Sequence, residues 1–311
     1  MPAADPPALA RHASQLKLHS PRMFMRTLAA AAFGNRCVAC DDQAGAHGLC
    51  VPCLRFARRI ERRIPRCAAC AEEIRPGMPT ARKRPPGDFR ANAADAAPDS
   101  PTGIPTTAGP TALPHLAGPF SAPPLCRRCA ASVPPWDFAL VGASYAPPWD
   151  AIDRGLKYGG QLAHAAPLAL LIACAARARR IDLAGWVLLP IPLAPSRLAA
   201  RGHNQARQIA RMLADATGAS VDNGALLRRR DTPAIATLGR AARVRAVADA
   251  FALAPGAHAR LAGRRVALVD DVLTTGATLA EAARALAPLR LPVLAAIAAL
   301  RTPPPDSEEG S

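Results

Sequence analysis

Apolar residues follow one clear pattern along this chain, over residues 136–303. Apolar runs there alternate with segments whose apolar residues recur every three or four positions, the period of a helix. The predicted strands are "FALVGASY", "WVLLPIPL", "RRVALVDDV" and "LPVLAAIAAL". Strands that are apolar throughout are typical of a parallel sheet with helices on both faces. The pattern therefore predicts an α/β domain over 136–303.

The rest of the chain has no such pattern. Residues 1–30 have no firm period, and we expect a disordered leader there. Residues 31–135 are rich in Cys and Arg, but 71–125 within them consist mainly of Pro, Ala, Gly, Ser and Thr. That segment cannot bury enough apolar surface to fold, so we expect a disordered insertion, and a disordered tail at 304–311. We expect no internal repeat.

The charge narrows the range of partners. A net charge of +16 at pH 7 favours an anionic partner, either nucleic acid or a phosphorylated metabolite, although Arg- and Ala-rich composition also follows from a GC-rich genome. Basic clusters recur at "RARR" and "LLRRR". No apolar run reaches the roughly 20 residues that span a bilayer, and the segment 23–34 makes a poor signal peptide. We therefore expect a cytoplasmic protein without a membrane span.

Eight of the nine cysteines form four C-x-x-C pairs, which predict metal sites rather than disulfides. Two such pairs complete one tetrahedral four-cysteine zinc site. The pairs, in chain order, are Cys37/Cys40, Cys50/Cys53, Cys67/Cys70 and Cys126/Cys129. The first two are close enough to form one structural site, and the last two form another if the insertion loops out. Interleaved pairing, first with third and second with fourth, remains an alternative, as does a redox dithiol.

The stretch "VALVDDVLTTGATL" (266–279) predicts a ribose 5-phosphate site. A buried strand ends at Asp270, and the following turn opens a helix whose backbone N–H groups and hydroxyls suit a phosphate. Gly276 allows close backbone approach. The two carboxylates suit vicinal ribose hydroxyls. The candidate binding residues are Asp270, Asp271, Thr274, Thr275, Gly276, Ala277 and Thr278.

Three basic residues are candidates for binding a diphosphate. Arg197 and Arg201 follow another predicted buried strand, in "PIPLAPSRLAARGHNQARQIA", and guanidinium groups bind phosphates well. Lys157, in "GLKYGG", lies beside a predicted strand–helix turn. Each of the three also suits an ordinary exposed basic position.

These motifs together resemble the ComF family, and "VALVDDVLTTGATL" resembles the 5-phosphoribosyl-1-diphosphate (PRPP) motif of type I phosphoribosyltransferases. The resemblance implies a phosphoribosyltransferase-like sheet with a small N-terminal zinc domain. It also implies structural Zn2+, PRPP bound with Mg2+, pentosyl transfer as the candidate activity, and a role in competence for DNA uptake. Single-stranded DNA and other DNA-uptake proteins are the implied partners.

The chain departs from the family at three positions. His203 stands where an aromatic residue is usual, Ile235 where glutamine is common, and Ala246 where asparagine is common. The last two concern the transfer chemistry rather than PRPP binding. The main alternative function, which the positive charge of residues 1–66 and the basic clusters favour, is a non-enzymatic zinc module that binds nucleic acid and holds or senses a phosphoribosyl ligand. A metabolic salvage transferase is a third.

Overall fold

A computed structural model describes residues 36–45, 48–63, 65–74, 80–82, 124–231, 245 and 247–303. The predicted leader 1–30, most of the predicted insertion and the predicted tail lie outside the described residues. Ile235 and Ala246 lie outside them as well.

The cysteine-rich region contains short elements. They are α1 (Val51–Arg63), β1 (Thr80–Arg82), β2 (Pro124–Cys126) and α2 (Arg127–Ala131). Strand β1 pairs with β2 in antiparallel fashion. The predicted 71–125 insertion is therefore too long at both ends, because residues 71–74, β1 and the start of β2 belong to the folded region. Backbone pairing beside the cysteines outweighs the unfavourable composition there.

A short backbone motif occurs twice in this region, at Arg36–Gln43 and at Arg66–Glu73. The first and last residues of each segment form an antiparallel bridge. In both, the N–H after the second cysteine donates to the carbonyl of the first cysteine at 2.8 Å. The sequences "RCVACDDQ" and "RCAACAEE" share the arginine, the central alanine and both cysteines. The expectation of no internal repeat is therefore wrong. A repeat of eight residues is too short to be recognised from the sequence alone.

The C-terminal domain alternates strands and helices. In chain order they are β3 (Phe138–Ser144), α3 (Trp149–Tyr158), α4 (Ala165–Ala178), β4 (Val187–Pro190), α5 (Pro195–Arg201), α6 (Gln205–Thr217), β5 (Ser220–Val221), β6 (Leu226–Arg228), β7 (Phe251–Leu253), α7 (Ala257–Leu261), β8 (Arg265–Leu273), α8 (Ala277–Leu286) and β9 (Val293–Arg301). Short 3-10 turns cover Leu162–His164 and Ala287–Leu289.

Five of these strands form one sheet in the order β3-β9-β8-β4-β5, and every adjacent pair is parallel. The predicted α/β class with a parallel sheet is confirmed. Strands β6 and β7 form a separate antiparallel pair. Because β8 is the middle strand, its carboxyl end opens at the centre of the edge where ligands bind in parallel sheets.

Helices bury both faces of the sheet. On one face, α4 and α6 pack against the strands through residues such as Leu171 and Leu213. On the other face, α8 packs through Leu279 and Leu286. Strands that are buried on both faces have apolar residues at consecutive positions, which explains the sequence pattern.

Strand β8 runs past both aspartates. The stretch "RRVALVDDV" predicts a strand to Val272, although its buried part is expected to end at Asp270, and the pairing with β9 continues to Leu273. Parallel backbone hydrogen bonds therefore extend past both aspartates. Asp270 and Asp271 lie inside the strand, and successive side chains of a strand point to opposite faces.

Candidate functional site

The eight paired cysteines form two clusters. Cys37, Cys40, Cys50 and Cys53 form the first cluster, and Cys67, Cys70, Cys126 and Cys129 form the second cluster. Within each cluster the sulfur atoms all lie within 4.8 Å of one another. The pairs thus combine in chain order, and the interleaved alternative is wrong.

Both clusters have the same construction. In each, the first C-x-x-C pair lies on the repeated backbone motif, and the second pair opens a helix, α1 or α2. Cys126 is the residue that immediately precedes α2, and Cys50 immediately precedes α1. A helix N-terminus favours a thiolate, because its backbone N–H groups and dipole stabilise negative charge.

The sulfur geometry fits zinc. Thiolates 2.3 Å from a tetrahedral ion lie about 3.8 Å apart. The Sγ atoms of Cys40 and Cys50 lie 3.5 Å apart, and those of Cys70 and Cys126 lie 3.7 Å apart. Each cluster could therefore hold one structural Zn2+ with four thiolate ligands.

The acidities of the second cluster point to the same need for a cation. Hydrogen bonds from Cys126 and Cys129 lower the pKa of Cys70 to about 6. Hydrogen bonding with Cys126 instead raises the pKa of Cys129. Four buried thiols so close together cannot all ionise without a positive ion, because the thiolates repel one another. A bound metal would supply that positive charge.

Asp271 is buried and paired with Lys157. It is 5% exposed, and its Oδ2 lies 3.1 Å from Lys157 Nζ. The same ammonium group donates to Asp153 Oδ2 at 2.8 Å. Burial opposes ionisation of Asp271, but Lys157 and a hydrogen bond from Gln205 outweigh it and lower the pKa of Asp271. Lys157 thus pairs with carboxylates from two different elements, α3 and β8.

Asp270 is the more accessible of the two aspartates. Its side chain is half-buried, and its Oδ1 accepts the backbone N–H of Asp271 at 2.9 Å. Burial, and then the neighbouring charge of Asp271, raise the pKa of Asp270 well above its ordinary value of 3.8. Of the two carboxylates, Asp270 is therefore the one that a ligand can reach.

The segment Thr274–Ala277, which we call the phosphate turn, begins one residue after β8 ends. Gly276 has a φ of 81°, in the left-handed region, and directly precedes α8. A Cβ at this position would also lie 3.3 Å from the ring of Trp136. Both observations require glycine. The first backbone N–H groups of α8 have no partners within the helix, so the turn can bind an anion.

Arginines from two other segments lie beside this edge of the sheet. Arg197 and Arg201 belong to α5, which follows β4. Arg228, at the end of β6, donates to Pro192 O at 3.2 Å. Burial, and then the charge of Arg197, lower the pKa of Arg228, while Asp270 acts in the opposite direction. The charged groups of Arg197, Arg228 and Asp270 therefore lie near one another.

Sequence analysis missed Arg228 as a member of the site. It lies in the "LLRRR" run, which in the sequence indicates only general positive charge. Periodicity could not separate it from its two neighbours, because the antiparallel pair β6–β7 that positions it depends on residues 251–253, far along the chain.

The end of α3 carries an exposed aromatic residue. Tyr158 is 73% exposed, and the guanidinium of Arg201 lies 4.9 Å above its ring. His203 connects the end of α5 to α3, because its two ring nitrogens lie 2.9 Å from Arg201 O and 2.7 Å from Leu156 O. The departure at this position thus has a structural role.

The structure thus brings most of the predicted residues to one edge of the sheet. Asp270, Asp271, Lys157 and the phosphate turn lie at the carboxyl end of β8, and α5 brings Arg197 and Arg201 from the neighbouring strand. Thr278 lies in the first turn of α8. Among the described residues, no helix is long and apolar enough to cross a membrane.

No protein-family model matches the sequence. The chain is 33% identical over 165 residues to the DNA utilization protein YhgH of Escherichia coli strain K12, covering 52% of this chain and 70% of that protein. The match to the protein of the same name in Shigella flexneri has the same extent. The chain is 31% identical over 164 residues to Competence protein F of Haemophilus influenzae, covering 52% of this chain and 71% of that protein. On this similarity, the chain belongs to the ComF family.

Proposed function

We propose that this chain acts in DNA uptake and that its C-terminal domain binds PRPP, or a related ribose 5-phosphate ligand, at the carboxyl end of β8. The names of its relatives, a DNA utilization protein and a competence protein, support the first part. One observation carries the second: the accessible carboxylate of Asp270 lies in the strand that leads directly into the phosphate turn. Asp270 and the phosphate turn line one small pocket, together with Thr278.

The residues divide the ligand between them. Asp270 accepts hydrogen bonds from the vicinal hydroxyls of the ribose. The N–H groups and hydroxyls of Thr274–Thr278 hold the 5-phosphate. Arg201 and Arg197, with Arg228 beside them, attract the diphosphate.

Mg2+ fits this site as an ion that arrives with its ligand. Asp271 and Asp153 are occupied by Lys157, so Asp270 is the carboxylate that remains available among these three. Mg2+ is typically bound through one or two carboxylates together with phosphates and water. It would supply positive charge to the diphosphate. If transfer follows, a nucleophile forms a bond to C1 of the ribose as the bond from C1 to the diphosphate breaks.

PRPP with Mg2+ is expected to raise the thermal unfolding midpoint by roughly 5–10 °C at a ligand concentration 100 times Kd, because only the folded chain binds the ligand. Asp270→Asn is expected to remove most of the shift, because an amide is a weaker acceptor and carries no charge. Differential scanning fluorimetry measures both. The control is Asp215→Asn, on the exposed surface of α6, which should keep the shift. A parent protein that PRPP does not stabilise contradicts the proposal.

Single-stranded DNA is a second candidate ligand because of the Tyr158–Arg201 stack. An exposed aromatic ring capped by a guanidinium, within a chain of net charge +16, has the components of a base-stacking platform. The sequence alone gave no sign of such a platform, because Tyr158 and Arg201 meet only in the fold.

Tyr158→Ala is expected to weaken binding of a short single-stranded oligonucleotide about tenfold, since stacking of one base contributes on the order of 1–3 kcal/mol. Fluorescence anisotropy at fixed salt measures the affinity. The matched control is Phe56→Ala, which removes an exposed aromatic side chain from α1. Equal losses in the two variants, or no loss in either, would exclude this platform. The PRPP shift should survive in both.

A further inference from the structure

Arg301, the last residue of β9, connects the second cluster to the phosphate turn. Its side chain is 3% exposed. Its Nε donates to the carbonyl of Cys70 at 3.0 Å, and its Nη1 donates to the carbonyls of Leu273 at 3.0 Å and Thr274 at 2.8 Å. One planar guanidinium thus holds the backbone of a cluster cysteine against the backbone of the turn.

Trp136 makes a second, independent connection. Its indole Nε1 donates to the carbonyl of Ala69, between two cysteines of the second cluster, at 2.6 Å. The other end of the ring lies under Gly276, where an added Cβ would be 3.3 Å from it. The ring is 5% exposed, so it cannot move aside without disturbing the core. The glycine of the turn therefore rests on a ring that the cluster backbone fixes.

Glu72 joins the charges between cluster and turn. Its Oε2 lies 3.2 Å from Arg128 Nη2 and 3.9 Å from Arg301 Nη2, and it accepts a hydrogen bond from Cys70 Sγ at 3.8 Å. Away from these contacts, a cavity of about 370 Å3 lies between the second cluster and the phosphate turn. Arg301 and Trp136 line that cavity and bridge it. The contact between cluster and turn thus runs through a few side chains.

The first cluster has a different location. Cys37, Cys50 and Ala57 pack in the same apolar cluster as Leu168 and Leu171 of α4. The phosphate turn instead adjoins the apolar cluster on the opposite face, to which Trp136 belongs. The two clusters are built in the same way, but among the described residues the first cluster therefore does not contact the phosphate turn as the second cluster does.

We propose that Arg301 and Trp136 are positioning residues that hold the phosphate turn in its ligand-binding shape, and that they do so only while the second cluster holds its metal. Metal bound at the first cluster has no such effect. The proposal rests on the proposed function for the identity of the ligand, but the shape of the turn can be measured without any ligand.

Arg301→Lys and Trp136→Phe test the two connections in the full-length, zinc-loaded protein. Lysine keeps the charge but cannot bridge three carbonyls as a planar fork does, and phenylalanine keeps an aromatic ring but loses both the N–H and the ring atoms that lie against Gly276. Hydrogen exchange should be at least about tenfold faster at the amides of residues 274–279 and unchanged in β4 and α4. Both variants should keep the zinc content of the parent. The control is Arg265→Lys at the opposite end of β8, where the guanidinium donates to Ala184 O at 3.1 Å.

A matched pair of cysteine variants tests the role of the metal. Cys126→Ser and Cys50→Ser replace equivalent residues, each directly before a helix. Faster exchange in the turn should follow Cys126→Ser alone. If Cys126→Ser unfolds, the effect of a zinc chelator on exchange in the turn of the Cys50→Ser protein, whose remaining zinc belongs to the second cluster, decides the matter. Unchanged exchange in the turn of the Arg301→Lys and Trp136→Phe proteins or of a folded Cys126→Ser protein, or an equal effect of Cys50→Ser, overturns the proposal.

The same variants separate this proposal from the proposed function. If the parent binds PRPP, Arg301→Lys should weaken that binding about tenfold, the loss expected from one hydrogen bond to a charged group. If the parent does not bind PRPP but the exchange pattern holds, the proposed ligand is wrong and the coupling between cluster and turn stands.

Discussion

Cys67→Ser is expected to cause a large loss of stability and the loss of one zinc ion. Cys67 is 0% exposed, and three other thiols of the second cluster surround it. Serine is a poor zinc ligand, so the zinc content should fall from two to one ion per chain and three buried thiols would lose their cation. The free energy of unfolding should fall by at least about 4 kcal/mol. Elemental analysis and thermal unfolding measure the two effects.

Cys174→Ser is the matched control, because Cys174 is half-buried in α4 and belongs to neither cluster. It should keep both zinc ions and most of the stability. Equal zinc contents in parent and Cys67→Ser protein, or a parent that contains no zinc after careful purification, would refute the structural zinc site.

Asp271→Asn is expected to destabilise the protein by about 3 kcal/mol, even without ligand. The substitution leaves the buried ammonium of Lys157 with Asp153 as its remaining carboxylate partner. Removal of one partner from a buried ion pair is costly, because the remaining charge stays desolvated. Chemical denaturation, monitored by circular dichroism, measures the free energy of unfolding.

Asp270→Asn makes the same chemical change one residue earlier. We expect it to abolish the PRPP shift and to change the pH dependence of stability, rather than to destabilise the protein as Asp271→Asn does. Since folding raises the pKa of Asp270, the folded parent holds this proton more tightly than the unfolded chain, and the parent loses stability as the pH rises through the raised pKa. Asparagine does not titrate. The stability of the variant relative to the parent should therefore increase as the pH rises, while the variant loses the PRPP-induced shift of the unfolding midpoint. An Asp271→Asn protein as stable as the parent would refute this division of roles.

The sequence predicts those parts of the fold that depend on local pattern. Continuous apolar strands predict a parallel sheet covered on both faces, since each strand contacts helices on two sides. The C-x-x-C spacing predicts the two clusters, since two thiolates on one turn can reach a single ion. The stretch "TTGAT" predicts the turn at the start of α8, because its glycine can adopt the backbone conformation that the turn needs.

Other features of the site depend on contacts that local pattern does not contain. Lys157 was a diphosphate candidate, but its two carboxylate partners come from α3 itself and from a strand more than a hundred residues later. Arg301 ends an apolar strand and gave no sequence signal, because its role depends on Cys70 lying opposite it. The aspartates are adjacent in sequence, yet only the extension of β8 shows that they face different surroundings.

The antiparallel pairing of β1 with β2 has a consequence for how this chain can be altered. Arg82 is the last residue of β1 and Pro124 is the first residue of β2, and these two residues are direct partners in the ladder. A connection that starts and ends at neighbouring points can change its length at little cost, since each doubling of a flexible loop costs only about 0.6 kcal/mol. Evolution could therefore lengthen or shorten this connection freely, and a peptide tag or a small reporter domain could be inserted there without moving the cysteines on either side.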